Sequence, residues 1–276
     1  MLKDLSISLN NGVKIPMLGL GVFRSEPGQS TSDAVAWALE AGYRHIDTAA
    51  AYRNEQDVAV GIAQSGIKRE DIFITTKLAT QDIEAKKALE GFETSLEKLK
   101  TDYVDLYLLH WPVPNYVEAW EELIKLYEAK RIRAIGVSNF QVHHLQTLES
   151  LGLLTPAANQ IELHPSFQQK EVKAYCEGKG IAIEAWSPLG GQDHLLLNEP
   201  VLVEIAKKYG KSAAQVIIRW HIEVGNVVIP KSVRQSRVVE NGDVFDFALD
   251  AEDLAKIAAM DTNRRSYADP DRFGTK

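Results

Sequence analysis

Ionisable side chains stand at several points where short apolar runs of the sequence end. Asp47, Lys77 and His110 each close such a run, and Tyr52 follows Asp47 within one short loop. Because these groups are costly to bury without partners, we expect the carboxylate, the ammonium and the imidazole to lie together. A nearby ammonium lowers the pKa of a phenol from its usual value near 10. The pattern therefore predicts that Tyr52, with its pKa lowered by Lys77, acts as a general acid.

Such an acid suits the reduction of a carbonyl group, whose oxygen gains negative charge and takes up a proton. We expect His110 to orient that oxygen. No amino-acid side chain supplies hydride, so the set implies a nicotinamide cofactor. The alternative is a Schiff-base lyase with Lys77 as its nucleophile. A catalytic metal is not expected, because the other possible ligands, Glu162 and His164, belong to a strand that is not next to the one ending at His110.

Apolar runs alternate with segments of helical spacing along the chain, and no linker or low-complexity stretch separates them. This alternation predicts parallel strands joined by right-handed crossovers and buried on both faces. Eight units in 276 residues favour one closed (β/α)8 TIM barrel, a single domain over residues 1–276, with an open doubly wound sheet as the alternative. The expected strands are residues 17–21, 45–48, 72–76, 104–109, 134–137, 159–163, 182–186 and 227–229.

Three local signals complete this outline. Asn11-Gly12 lies between two alternating runs and predicts an N-terminal hairpin, which we expect to close the bottom of the barrel. Ser30-Thr31-Ser32 precedes an apolar helical face and predicts a helix N-cap. Gly19-Leu20-Gly21 begins like a dinucleotide fingerprint, but Arg24 stands at the third glycine position, so we do not expect a Rossmann site.

The remaining polar residues at the strand ends suit a nicotinamide cofactor, because barrel chemistry collects at the C-terminal ends of the strands. Ser138, Asn139 and Gln160 are suited to a carboxamide, and Trp186 offers a flat face for the nicotinamide ring. A local basic group follows the eighth strand, where barrels often bind phosphate; a solvated helix face is the alternative there. This group consists of Lys231, Ser232, Arg234 and Arg237.

The composition argues against several other classes of protein. The net charge is −7 at pH 7, which disfavours a nucleic-acid partner. The sequence has no apolar run long enough for a membrane span and no apolar core of a secretory signal near its start. The single cysteine, Cys176, is expected to be a buried, inert thiol and fits a cytoplasmic protein. We expect a monomer, because a closed barrel has no free sheet edge.

Seven stretches of the sequence resemble the aldo-keto reductases: GYRHIDTAAAYRNE, ITTKL, VDLYLLHWP, IGVSNF, NQIELHP, EAWSPLG and IPKSVRQSRVVEN. They span nearly the whole chain, and each falls at an expected strand end. The resemblance implies a (β/α)8 barrel that binds NADPH in an extended form without a Rossmann fold. It also implies that the catalytic residues of the family correspond to Asp47, Tyr52, Lys77 and His110.

The resemblance further implies the ligand contacts. Tryptophan at position 186 is typical of the branch similar to bacterial 2,5-diketo-D-gluconate and glyoxal or methylglyoxal reductases, so small dicarbonyls or keto-sugars are the expected substrates. Phe23 and Trp111 would join Tyr52 and His110 around the substrate. The implied cofactor contacts are Val22, Asp47, Ser138, Asn139, Gln160, Trp186, Ser187, Leu189, Lys231, Ser232, Val233, Arg237, Glu240 and Asn241. A second expectation is a non-catalytic, nicotinamide-binding regulatory subunit of the same fold.

Overall fold

Strands and helices alternate along residues 5–191 and 195–273, which the computed structural model describes. The strands are, in chain order, β1 (Ser6–Ser8), β2 (Lys14–Pro16), β3 (Leu20–Gly21), β4 (His45–Asp47), β5 (Phe73–Leu78), β6 (Val104–Leu109), β7 (Ile132–Ser138), β8 (Ala158–Glu162), β9 (Ala182–Trp186) and β10 (Val227–Val228). From β3 to β10, each strand pairs in parallel with the next one along the chain. The predicted (β/α)8 architecture is confirmed.

The barrel closes where β3 meets β10. Parallel bridges join Leu18 to Val228 and Gly21 to Lys231. A Cβ atom at position 21 would lie 2.8 Å from the Ile229 carbonyl oxygen, so only glycine lets the two backbones approach this closely. Gly21, which looked like part of a dinucleotide fingerprint, therefore serves barrel closure.

The antiparallel pair of β1 and β2 forms the predicted hairpin. Gly12 lies in its turn with φ 83°, a left-handed conformation that glycine adopts at little cost. Leu9 and Ile15 are buried in one cluster with barrel residues such as Phe73 and Leu106. The hairpin thus closes the bottom of the barrel with apolar side chains.

The helices are, in chain order, α1 (Gln29–Glu40), α2 (Glu55–Ser65), α3 (Thr80–Glu84), α4 (Ala88–Leu99), α5 (Tyr116–Glu128), α6 (Val142–Ser150), α7 (Lys170–Gly178), α8 (Pro200–Tyr209), α9 (Ala213–Glu223), α10 (Gln235–Gly242) and α11 (Ala251–Ala258). Helices such as α4, α5, α7 and α9 bury an apolar face against the strands, and others, such as α10 and α11, pack on neighbouring helices. Phe92 of α4 is fully buried and meets Tyr107 of β6 edge to face, with ring centroids 5.2 Å apart. Truncating such a phenylalanine to alanine costs about 3–5 kcal/mol. Within the described ranges, no helix has the length and apolar character to cross a membrane.

The start of α1 differs from the predicted cap. The helix begins at Gln29, and Gly28 holds the N-cap position with φ 97°. Thr31 lies inside the first turn, where its buried hydroxyl donates to the Glu26 carbonyl oxygen. Ser32 likewise donates to the Gln29 carbonyl oxygen. The prediction was wrong because hydroxyl side chains satisfy backbone acceptors as readily as the donors of a helix start.

Candidate active site

A buried ion pair lies near the C-terminal ends of β4 and β5. The Lys77 ammonium donates to both carboxylate oxygens of Asp47, each at 2.8 Å, and to the Thr48 carbonyl oxygen at 2.8 Å. Burial lowers the pKa of Lys77, but the charge and hydrogen bonds of Asp47, together with the nearby Tyr52 and Glu184 groups, offset this, so the pKa of Lys77 is raised. A permanently protonated amine is a poor nucleophile, which disfavours the Schiff-base alternative.

A single turn of 3-10 helix, Ala50–Tyr52, returns the chain to this ion pair. The Lys77 Nζ atom lies 5.0 Å from the centroid of the Tyr52 ring. Asn54 fastens the loop, because its amide donates to the Val22 carbonyl oxygen and accepts from the Thr48 hydroxyl. The small residues Ala50 and Ala51 thus form a tight turn that is tied to the ends of β3 and β4.

The pKa of Tyr52 moves in the direction opposite to the prediction. Burial raises it, the Lys77 ammonium lowers it by less, and the Asp47 carboxylate raises it further, so the pKa reaches about 12. The prediction was wrong because a buried phenolate loses more hydration than one ammonium, itself neutralised by a carboxylate, can replace. The phenol therefore keeps its proton across the neutral pH range and can still donate it.

His110 follows β6 and completes this group. Its ring meets the Tyr52 ring edge to face, with centroids 5.7 Å apart. Burial and the Lys77 ammonium lower the pKa of His110 to about 3, so the imidazole is neutral at pH 7. A neutral imidazole still carries one N–H, which can donate to a carbonyl oxygen.

Amide and indole groups from β7, β8 and β9 lie next to the ion pair. The Gln160 Nε2 atom donates to Asp47 Oδ2 at 2.7 Å, and the Trp186 Nε1 atom donates to Asn139 Oδ1 at 3.0 Å. The Ser138 hydroxyl donates to the Gln160 carbonyl oxygen at 2.9 Å. These hydrogen bonds fix the side chains of Ser138, Asn139 and Gln160. Their side-chain oxygens can still accept further hydrogen bonds, which suits the N–H groups of a carboxamide.

A cavity of about 680 Å³ opens at this end of the barrel, a size common among ligand sites. The predicted site residues that line it are Phe23, Asp47, Tyr52, His110, Trp111, Ser138, Asn139, Gln160, Trp186, Ser187, Leu189 and Lys231. Those that do not line it are Val22, Lys77, Ser232, Val233, Arg237, Glu240 and Asn241. Val22 and Lys77 are fully buried behind the wall, and the other five follow β10 towards α10.

The residues predicted to hold a phosphate group run from Lys231 at the cavity into the start of α10. Arg234 is the N-cap residue of this helix, and Arg237 lies exposed in its first turn. Cations beside the free N–H groups of a helix start favour an anion. Glu240, by contrast, already accepts from the Ser212 hydroxyl, and this bond ties α10 to α9.

The C-terminal segment borders the cavity, and a buried carboxylate anchors it. Glu162 at the end of β8 accepts from the backbone N–H groups of Ser266 and Tyr267, at 2.7 and 3.3 Å. His164 Nε2 lies 3.3 Å from the same carboxylate. Glu162, considered above together with His164 as a possible metal ligand, thus holds the tail.

Two aromatic residues of the tail complete the cavity wall. Tyr267 meets Trp186 edge to face at 5.0 Å, and Phe273 stacks on Trp111 with centroids 4.0 Å apart and planes 8° from parallel. The sequence did not identify these two residues, because the tail is polar and has no periodicity; aromatic residues in a polar segment were the one available signal. The other lining residues missed were Gly21, Arg24, Ala51, Thr80, Gln81, Pro188, Gly190, Gly191, Ile229 and Ala268.

A histidine pair on α6 ties down the same tail. The Nε2 atoms of His143 and His144 lie 3.2 and 3.6 Å from Asp271 Oδ1, a spacing that a metal ion could also bridge. However, His144 Nδ1 accepts from the Gln141 N–H, so the proton of the neutral ring sits on Nε2. The protonated Nε2 therefore faces Asp271 at 3.6 Å without a lone pair for a metal. We therefore interpret this cluster as a set of polar contacts that hold the C-terminal segment against α6.

The geometry defines a class of protein: a (β/α)8 barrel whose mouth carries a protonated phenol, a buried ammonium and a neutral imidazole, which together can protonate a carbonyl oxygen. The sequence profile of the Aldo/keto reductase family matches residues 17–262. The chain therefore belongs to the aldo/keto reductase family.

Individual relatives cover nearly the whole chain. It is 51% identical over 273 residues to the glyoxal reductase of Bacillus subtilis, covering 99% of this chain and 98% of that protein. It is 48% identical over 271 residues to the methylglyoxal reductase DkgA of Escherichia coli, covering 97% and 98%. The crystal structure of a Bombyx mori aldo-keto reductase in complex with NADP matches with a TM-score of 0.88 at 35% identity, over 97% of this chain and 96% of that one.

Proposed function

We propose that this protein reduces small aldehydes and ketones to alcohols with NADPH, and that Tyr52 is the proton donor. The observation that carries the proposal is the Tyr52 phenol, which is protonated at neutral pH, adjacent to the buried Lys77 ammonium and exposed to a cavity of ligand size. NADPH, when bound, supplies the hydride.

The four polar residues have separate roles in this proposal. Tyr52 gives its proton to the substrate oxygen as that oxygen becomes an alkoxide, which is a stronger base than the phenolate left behind. Lys77 stabilises the phenolate, and Asp47 keeps Lys77 charged and in position. His110, neutral at pH 7, donates a hydrogen bond that orients the carbonyl oxygen.

The chain's own groups fit the cofactor. Ser138, Asn139 and Gln160 would hold the carboxamide, and the indole of Trp186, fixed by its bond to Asn139, would stack on the nicotinamide. Ser187 and Leu189 would meet the pyrophosphate. The remaining proposed contacts extend from Lys231 along α10, where cations and a helix start favour the 2′-phosphate of NADPH over the hydroxyl of NADH. They are Lys231, Ser232, Val233, Arg237, Glu240 and Asn241, with Val22 and Asp47 at the nicotinamide end.

We propose dicarbonyls such as glyoxal and methylglyoxal as substrates, with keto-sugars such as 2,5-diketo-D-gluconate as the second class. The names of the Bacillus subtilis and Escherichia coli relatives support the first class. The aromatic side chains of Phe23, Trp111 and Phe273 would form the apolar side of the pocket, and Tyr52 and His110 its polar side.

The test is the oxidation of NADPH, followed by absorbance, across glyoxal, methylglyoxal, simple aldehydes and keto-sugars. We expect turnover with at least one dicarbonyl in the wild type and a loss of several orders of magnitude in Tyr52→Phe, whose NADPH affinity stays within about threefold. The matched control is Tyr175→Phe, because that hydroxyl donates to Glu149 on the outer surface. Tight NADPH binding without turnover on any substrate would favour the regulatory-subunit alternative. A Tyr52→Phe variant that keeps most of its rate would exclude Tyr52 as the acid.

We also propose that the chain acts as a single-domain monomer in the cytoplasm. The closed barrel offers no sheet edge for pairing among the described residues. Burial raises the pKa of the Cys176 thiol to about 11, so little of the reactive thiolate is present at neutral pH. A buried thiol of this kind is compatible with the reducing cytoplasm. Sedimentation analysis of the full chain would test the monomer, and a concentration-dependent dimer would contradict it.

A further inference from the structure

Glu184 is a fully buried carboxyl group inside the barrel to which the proposed reaction gives no role. It lies in the middle of β9, and its neighbour in the parallel register with β8 is Gln160, whose amide donates to Asp47. On the other side, its register partner on β10 is the apolar Val227. Glu184 therefore sits in the interior layer next to the groups that surround Lys77.

The carboxyl group of Glu184 has no cation that it can pair with directly. An ionisable neighbour is His45 of β4, whose Nε2 atom is 3.4 Å from Oε1 and also 3.0 Å from the Thr75 hydroxyl of β5. Burial lowers the pKa of His45 to about 3, with the Lys77 ammonium adding to the effect, so this imidazole stays neutral. In the described part of the chain, no well-aligned hydrogen bond reaches either carboxyl oxygen of Glu184, and the nearby Gln160 amide favours the ionised form by less than burial disfavours it.

Two carboxyl groups thus compete for one cation. Asp47 receives two hydrogen bonds from Lys77 and one from Gln160, whereas Glu184 receives none from Lys77. Burial, followed by the negative charge of Asp47, raises the pKa of Glu184 to about 8. Burial also raises the pKa of Asp47, but Lys77 and Gln160 donate directly to that carboxylate. Because adjacent buried carboxyl groups cannot both ionise at low cost, Glu184, which lacks such bonds to a cation, keeps its proton. At neutral pH the interior therefore holds one carboxylate, one ammonium and one neutral carboxylic acid.

We infer that Glu184 is a positioning residue: its neutral carboxyl group leaves Asp47 as the single carboxylate acting on Lys77, and its ionisation at alkaline pH weakens Tyr52 as a proton donor. The inference rests on the acid role proposed for Tyr52. A second buried negative charge makes the phenolate less favourable and holds the phenol proton more tightly. It also competes with Asp47 for Lys77, the ammonium that stabilises the phenolate.

The experiment compares pH profiles of kcat/KM for methylglyoxal reduction in the wild type and in Glu184→Gln, where glutamine copies the neutral acid. We expect the wild-type value to fall by about three- to tenfold between pH 7 and pH 10, and the variant to lose this decline while matching the wild type at pH 6–7. The matched control is Glu55→Gln, which removes a buried carboxyl group that bonds to Thr76 and lies outside the barrel interior. This control should keep the wild-type decline.

Infrared spectroscopy detects the protonated carboxyl group of Glu184 directly, independently of enzyme activity. We expect the C=O stretching band of a protonated, buried carboxylic acid at pH 6, its loss by pH 10, its persistence in Glu55→Gln, and its absence in Glu184→Gln. If Glu184→Gln does not fold, the absence of a titrating band in the wild type and in Glu55→Gln would still overturn the inference.

The possible failures are distinguishable. A Glu184→Gln profile with the full wild-type decline, or a carboxyl region without a band that titrates, would overturn the role of Glu184 and leave the proposed reaction intact. An active Tyr52→Phe variant would overturn the proposed reaction itself.

Discussion

Variants of the buried Lys77–Asp47 pair should show that protein stability and reductase activity depend on this pair in different ways. In Lys77→Met, the Asp47 carboxylate, almost fully buried, loses its cation and both of the 2.8 Å bonds that it accepts. Removing one partner of a buried ion pair costs about 3–5 kcal/mol, because the remaining charge is left uncompensated. This is a large part of the roughly 5–15 kcal/mol that a folded protein has in total.

The double variant Asp47→Asn/Lys77→Met should recover much of this loss. It removes both charges together, and replacing a buried pair by neutral groups is often neutral or even stabilising. We therefore expect the double variant to be more stable than Lys77→Met by at least about 2 kcal/mol, a strongly non-additive result. Its reductase activity should nevertheless stay at the level of Lys77→Met, because no ammonium remains beside Tyr52.

The assay is urea unfolding of the two single variants and the double variant, with NADPH oxidation measured on the same samples. The control cycle uses Lys125→Met and Glu122→Gln, an exposed pair whose side chains are 67% and 46% accessible. That pair should show a coupling of at most about 0.5 kcal/mol. A double variant no more stable than Lys77→Met would refute the view that an unpaired buried charge dominates the cost.

Three further outcomes are expected. Arg237→Leu should raise the KM for NADPH by about ten- to a hundredfold and change that for NADH little, because a charge-assisted phosphate contact is lost; equal weakening in steady-state assays would contradict the 2′-phosphate assignment. Glu162→Ala should loosen the tail, so trypsin cuts faster at the exposed Arg264 and the substrate KM rises more than kcat falls; unchanged digestion would show that the bonds to Ser266 and Tyr267 do not hold it. Stability should fall from pH 7 to pH 5, because burial lowers the pKa of His221 to about 3, and below its ordinary value near 6.5 the unfolded chain binds the extra proton. His221→Gln should remove about 2 kcal/mol of that fall, measured as the difference in unfolding free energy between the two pH values, and an unchanged fall would mean that the buried ring is not neutral.

The placement of the polar residues could be predicted from the sequence because each follows an apolar strand. In a parallel barrel all strands end on the same side, so the order of elements alone brings Asp47, Lys77 and His110 to one mouth. The tight loop from Ala50 to Tyr52 could be predicted for the same reason, since it follows a strand directly and contains small residues. Local pattern and chain order carry this information without knowledge of any contact.

The protonation states of the site residues could not be predicted, because they depend on burial and on all the surrounding charges in the barrel interior. The pKa of Tyr52 was predicted in the wrong direction, because the sequence names the ammonium beside it but not the depth of burial that outweighs that charge. Glu184 looks like an ordinary polar residue in the stretch AIEAW, and only barrel closure turns it towards His45 and the surroundings of Asp47.

The sequence by itself therefore determined the architecture and the set of reactive groups, because strand ends and apolar periodicity are local properties. Only the tertiary structure decided the protonation states and the contacts of the tail, in which Glu162 anchors the backbone while Phe273 covers Trp111. These properties arise from desolvation and from contacts between residues far apart in the chain, and neither leaves a local pattern in the sequence.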